Sequence, residues 1–264
     1  MATYTNIPDS VTSLNLASYV NIPSAYSFSP SDVTGLELWL DGRDLVGADG
    51  TAISSWTPRA GASGTDALQA TGARQPLIKS GVNGLNSLAV ARFDGTNDYM
   101  LSTFDAGSTG FTVYLVGRTG GALSAYGNVV GSGGGVTGLN PTPGIFWSFV
   151  YGSAVDGNGA GWAGPIGDVA LGDVSGAAIN TAFIHRYRTN KVAWSISGPN
   201  SGTPADTSFP TGTYQAHLGC AANVAGTPTS PFNGDIAAAL FYSVAVSDAN
   251  DALIIAYLQE TWGL

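Results

Sequence analysis

From Val33 onward, short apolar runs recur between clusters of glycine, proline, asparagine and aspartate. Several alternate apolar with polar or small residues, as in Val192-Ala193-Trp194-Ser195-Ile196, the two-residue period of a strand with one buried face. The pattern predicts strands over 36–40, 53–56, 88–93, 111–117, 145–151, 183–188, 192–197, 214–220 and 236–242. The glycine-dense stretches 131–138 and 152–167 read as long surface loops. One segment has helical spacing: Leu253, Ile254, Tyr257, Leu258 and Trp262 form an apolar face behind Ser247, a good N-cap. Asp248 and Asp251 suit the positive end of that helix's dipole. Asn250 stands where a capping box would need Glu or Gln, so a plain cap is expected. Many strands with turn-rich links and a single helix predict an all-β protein, a two-sheet sandwich or jelly roll.

Residues 1–32 break the pattern. They are rich in Ser, Asn, Tyr and Pro and repeat a phrase, Tyr4-Thr5-Asn6-Ile7-Pro8 and then Tyr19-Val20-Asn21-Ile22-Pro23. A residue before proline is driven out of the helical region, so each phrase is expected to be extended. Ile7, Leu14, Leu16, Tyr19, Ile22, Tyr26 and Phe28 carry apolar surface with no core of their own. The division is therefore an extended assembly arm over 1–32 and a sandwich over 33–264. The arm is expected to dock on a capsid or tail protein, or on further copies of the chain in a homo-oligomer.

Composition narrows the partners. The 264 residues include 37 glycines and 13 prolines, and 44% are hydrophobic against 10% charged, which suits a loop-rich globular β protein. Eighteen acidic residues face nine basic ones, a net charge of −9, so nucleic acid and anionic lipid are repelled. No run approaches the roughly 18 apolar residues that cross a bilayer, and the first residues lack the basic and apolar regions of a signal peptide. Membrane insertion is not expected. Cys220 is the single cysteine, which excludes an intramolecular disulfide and a cysteine-rich zinc site.

Four phrases, taken in order, carry a resemblance. Leu36-Glu37-Leu38-Trp39-Leu40-Asp41, Ile53-Ser54-Ser55-Trp56, Ala89-Val90-Ala91-Arg92-Phe93-Asp94-Gly95-Thr96-Asn97-Asp98-Tyr99, and Phe232-Asn233-Gly234-Asp235-Ile236 before the terminal helix resemble the LamG-like domains of the concanavalin A-like lectin/glucanase superfamily. The resemblance covers about residues 35 to 264. It implies a jelly roll of two curved antiparallel sheets with the helix beside the last strand. Domains of this kind bind glycans or proteins, on bacterial surface proteins and on phage tail and capsid proteins.

The turn Asp94-Gly95-Thr96-Asn97-Asp98 raises the question of a metal. Asp-Gly is a strong turn pair on its own, because glycine tolerates positive φ. An EF-hand is excluded: glycine is second and not sixth in the loop, and the twelfth position is Asp105 where a bidentate Glu belongs. Asp94, Asn97 and Asp98 still offer an all-oxygen donor set, for which calcium is the fitting ion. No cofactor is otherwise required.

Catalysis is not expected. Glucanases of the resembled superfamily use a Glu-x-Asp-x-Glu strand motif, one carboxylate attacking while another about 5–5.5 Å away protonates the leaving oxygen. This chain holds only Glu37 and Glu260, at opposite ends and outside any such motif. No Gly-x-Ser-x-Gly elbow occurs, Gly131-Ser132-Gly133-Gly134-Gly135 lacks the Gly-Lys-Ser/Thr ending of a phosphate loop, and His185 and His217 sit in strand patterns as packing residues. Ligand chemistry is instead aromatic: Trp162, Tyr126, Tyr151 and Trp147 are the expected stacking residues, with Trp162 in a loop. Together these readings predict a non-enzymatic virion-surface protein, a capsid decoration or tail component that adheres to cell-surface glycans. A bacterial extracellular or cell-surface carbohydrate-binding module and a purely structural cement protein are the alternatives.

Overall fold

The computed structural model describes residues 28–106, 110–120, 127–132, 147–152, 159–164, 167–170, 182–188, 194–195, 212–222, 228–229 and 231–264. Within them the chain forms β1 (Leu36–Asp41), β2 (Ser55–Trp56), β3 (Ala67–Leu68), β4 (Leu77–Lys79), β5 (Val90–Asp94) and β6 (Met100–Ala106). Then come β7 (Thr112–Thr119), β8 (Gly127–Ser132), β9 (Trp147–Gly152), β10 (Gly159–Gly164), β11 (Gly167–Ala170) and β12 (Ala182–Arg188). The last elements are β13 (Trp194–Ser195), β14 (Gly212–Leu218), β15 (Ala221–Ala222), β16 (Pro228–Thr229), β17 (Asn233–Tyr242) and the helix α1 (Asp248–Trp262). All strand pairings are antiparallel.

Two large sheets make a jelly-roll sandwich. One runs β13-β12-β7-β17-β5-β4, with β1 also paired to β17; the other runs β11-β10-β9-β8-β14-β6-β3-β2. Strand β17 organises the first sheet: it pairs with β7 along its length, with β5 through Asn233–Ile236 and with β1 through Ala238–Tyr242. Its sequence is nearly continuous apolar because both faces are buried. A bulge between Ile236 and Ala238 shifts the alternation. Ile236, Ala239 and Phe241 therefore fill the space between the sheets, while Ala237, Ala238, Leu240 and Tyr242 lie in a second core under α1.

The first core joins Phe93, Met100, Phe104, Phe111, Phe183 and Leu218 from both sheets, with Phe104 and Phe111 stacked at 5.8 Å. The second packs Ile254, Leu258 and Trp262 of α1 onto Tyr114, Val116 and Ile184. The helix has the expected plain cap, Ser247 Oγ accepting from Asn250 N–H, and ends on Gly263 in the left-handed region at φ 68°. One predicted role changes: Leu253, expected on the buried face, is 42% exposed. Asp248 and Asp251 stand in the first turn as expected, and Asp251 is also a buried acceptor. It accepts from the Tyr114 hydroxyl at 2.6 Å and lies beside Arg186 and Arg188 of β12.

The predicted strands at 36–40, 88–93, 111–117, 183–188, 214–220 and 236–242 form within a few residues of the expected ends. The predicted loops do not hold throughout. Gly159–Gly164 is strand β10, paired on both sides, and β8 extends to Ser132 inside the first glycine-rich stretch. Glycine and alanine carry no strand propensity, so the neighbouring strands decide their conformation. Position 162 accordingly belongs to a strand and not to a loop.

Candidate functional site

The turn after β5 carries the chain from one sheet to the other, since β5 lies in the seven-stranded sheet and β6 in the eight-stranded one. Its carboxylates replace backbone acceptors in that crossing. Asp94 Oδ1 accepts from the N–H of Thr96 at 2.7 Å and of Asn97 at 3.2 Å, and Asp98 Oδ2 accepts from Asp94 N–H at 3.0 Å. Gly95 has φ 75°, and a Cβ there would stand 2.6 Å from Asn233 Cβ, so glycine is required twice over. Asp94 and Asn97 are exposed, whereas Asp98 is 6% exposed. Burial, with the charge of Asp94 added to it, pushes the Asp98 carboxyl up to about 6.

Tyr99, next in the chain, is held by a polar frame. Its N–H donates to Arg74 O at 3.2 Å, and its own carbonyl accepts from Gln69 Nε2 at 3.0 Å. The Gln69 carboxamide oxygen accepts from Thr71 N–H at 3.0 Å, and Gln75 Nε2 donates to Gln69 O at 2.7 Å. The Arg74 guanidinium lies over the Tyr99 ring, 6.0 Å from its centroid. None of Gln69, Arg74, Gln75 and Tyr99 was singled out by sequence pattern. The one available signal was the adjacency of Tyr99 to the acidic turn.

Of the oxygens expected to take a metal, Asp94 Oδ1 and Asp98 Oδ2 hold backbone N–H groups, and among the described residues no three His, Cys, Asp or Glu side chains cluster as ligands. Of the expected stacking aromatics, Tyr126 lies outside the described residues; Trp147 and Tyr151 belong to β9 and Trp162 to β10, where Trp162 is aligned with Phe149 of β9.

Among the described residues, Glu37, the two histidines and Cys220 are hydrogen-bonded, packed or neutral. The Glu37 oxygens accept from the hydroxyls of Ser63 at 2.7 Å and Ser243 at 2.8 Å, and Glu260 is exposed on α1. Burial lowers His185 to about 3, and its ring stacks on Phe183 at 4.5 Å. Cys220 and His217, three residues apart, lie with Sγ 4.0 Å from Nδ1. Burial raises the thiol to about 12 and lowers the imidazole to about 4, so at neutral pH the two are a thiol and a neutral ring, not an activated pair. Of the arm residues, Phe28 is described: its ring meets Tyr257 of α1 edge-on at 6.3 Å, and Pro30 O nearby accepts from the Tyr242 hydroxyl at 2.9 Å. Ile7, Leu14, Leu16, Tyr19, Ile22 and Tyr26 lie outside the described residues.

No family model and no curated protein matches the sequence. Among solved structures, domain 4 of AbnA, a GH43 extracellular arabinanase from Geobacillus stearothermophilus, in complex with arabinotriose, aligns over 83% of this chain and 97% of its own at 14% identity and a TM-score of 0.47. Trypanosoma rangeli sialidase aligns over 82% of this chain but 32% of its own, at 11% identity and a TM-score of 0.48. The Emp47p carbohydrate recognition domain aligns over 80% and 98% at 9% identity and a TM-score of 0.36. The architecture given above rests on the strand order and the two cores, not on these alignments.

Proposed function

We propose that this protein is a non-enzymatic adhesion module of a larger assembly, a virion surface in the reading the sequence favours, whose sandwich binds cell-surface glycan and whose N-terminal arm anchors it. The observation that carries the proposal is the placement of the two ends of that task. The arm enters through Phe28 and Pro30 on the helix-covered side of the seven-stranded sheet. The outer face of the eight-stranded sheet is on the opposite side, with Leu68 exposed and Leu101, Thr103 and Gln215 half-buried along it. Anchoring by the arm therefore lies on the side of the sandwich away from that face. Engagement of Glu37 with two serine hydroxyls supports a binding role over hydrolysis. Calcium is the ion that the Asp94, Asn97 and Asp98 oxygens would take.

The test has two arms. A chain lacking residues 1–27 keeps Phe28 and Pro30 and should remain a monomer that melts near the parent temperature but no longer joins its assembly. Unfolding on truncation, or incorporation at full occupancy, overturns the anchor. A broad glycan panel probed with the same truncated chain should return at least one oligosaccharide ligand. A blank panel alongside normal incorporation would make the protein a cement component.

A further inference from the structure

In a chain of net charge −9, cations are few and almost all are neutralised locally. Every other described lysine and arginine lies within 4.0 Å of an aspartate carboxylate. Arg74 has no such partner among the described residues. It is exposed, and its contacts are with Tyr99: the guanidinium over the ring, and Nη1 3.5 Å from the hydroxyl. The backbones of the two residues are joined directly, and Gln69, itself 5% exposed, binds the Tyr99 carbonyl and the following loop at once. A surface arginine that only solubilises needs no such frame. A platform that loses little entropy on binding does.

We propose that Arg74 and Tyr99 form a subsite for an acidic sugar unit, one bearing a carboxylate or a sulfate ester. The inference rests on the glycan-binding reading above and names the chemistry of its ligand. The Tyr99 ring offers a stacking surface for the apolar face of a pyranose. The planar fork of Arg74, with no carboxylate partner among the described residues, matches two oxygens of a carboxylate or sulfate. Exposed Thr96 and Asn97 precede Tyr99 by three and two positions and offer polar groups for sugar hydroxyls. The repulsion of the distant surface charges is largely screened beyond about 8 Å at physiological salt, so the local guanidinium decides the sign.

Calorimetric titration of the full chain with three probes tests this: a galacturonic acid trisaccharide, a galactose trisaccharide carrying a sulfate ester, and the neutral galactose trisaccharide. At least one acidic probe should bind about tenfold or more tightly than the neutral one, and the ratio of the two acidic affinities tells carboxylate from sulfate. Arg74→Gln should abolish the preference without changing the melting temperature, and Arg74→Lys should restore part of it. A neutral probe bound as tightly as both acidic ones, or a preference that survives Arg74→Gln, overturns the subsite while the glycan reading stands. Silence of all three probes, with a different neutral ligand from the broad panel, also overturns the subsite alone. Silence of the whole panel overturns both.

Discussion

Asp235 and Asp98 are two buried carboxylates at neighbouring points of the fold, 1% and 6% exposed, with opposite support. Asp235 in β17 sits between two arginines from the strands on either side. Arg92 donates through Nε at 2.6 Å and Nη2 at 2.9 Å, and Arg118 donates through Nε at 2.9 Å. Both arginines also donate to Asn83 O, so one carboxylate ties three strands and a loop together. Asp98 receives a single backbone N–H and faces Asp94, another acid. The first site is compensated and reads as architecture. The second keeps a poorly compensated carboxyl next in the chain to the half-buried Tyr99, whose ring lies under Arg74, an arginine with no ion-pair partner among the described residues. Polar groups left short of partners in a folded chain are where binding is worth testing.

The sharpest way to break this comparison is to remove the compensated acid. Asp235→Ala leaves two guanidinium groups facing each other over an apolar strand and should cost about 3 kcal/mol, the lower part of the range for a broken buried pair because Arg92 is over a third exposed. Urea denaturation measures it, and a loss below about 1 kcal/mol would show that Asp235 holds nothing together. The helix side offers a smaller version. Tyr114→Phe deletes the donor to Asp251 and leaves that buried carboxylate to Arg186 and Arg188, for an expected loss of about 1–2 kcal/mol. An unchanged midpoint would mean the arginines alone satisfy Asp251.

How much of each region could be read beforehand follows from the range of its interactions. Strands β1, β5, β7, β12 and β17 of the seven-stranded sheet are written in local alternation and apolar runs, and Ser247 announced the helix cap, whereas β4 (Leu77–Lys79) carried no such run and was not predicted. Strand β10 was not legible, because Gly159-Ala160-Gly161-Trp162-Ala163-Gly164 takes its conformation from β9 and β11 and not from its own residues. The Asp94–Asp98 turn was legible as a turn, since Asp-Gly chemistry is local. Arg74, which meets Tyr99 just after that turn, lies 25 positions before it, and the glutamine frame joins the 69–75 segment to Tyr99. A contact of that kind has no signature at any fixed spacing. The pairing of Asp235 with Arg92, 143 positions away, is invisible for the same reason.

The uncompensated acid gives the smallest effect and the one of opposite sign. Burial and Asp94 raise the Asp98 carboxyl to about 6, above the ordinary value near 3.9. The folded state then binds the proton more tightly than the unfolded one, so this group's contribution is full below about pH 4 and is lost as pH rises toward and through 6. Above that, folding carries the cost of an ionised, poorly solvated carboxylate. Asp98→Asn keeps an oxygen to accept from Asp94 N–H and removes the charge. In EDTA at pH 7.5 it should stabilise the chain by about 1 kcal/mol, a value reduced from the full shift because the turn lies at the surface where water screens it. The gain should shrink as pH falls through 6 and vanish near pH 4. A destabilised Asp98→Asn at pH 7.5 in EDTA would show that the charge itself is compensated by a group the turn does not reveal. Repeating the melt with calcium sharpens the result: an ion held by Asp94 and Asp98 would stabilise the parent, spare the variant and reverse their order, whereas identical curves with and without calcium would leave the acid pair as a turn alone.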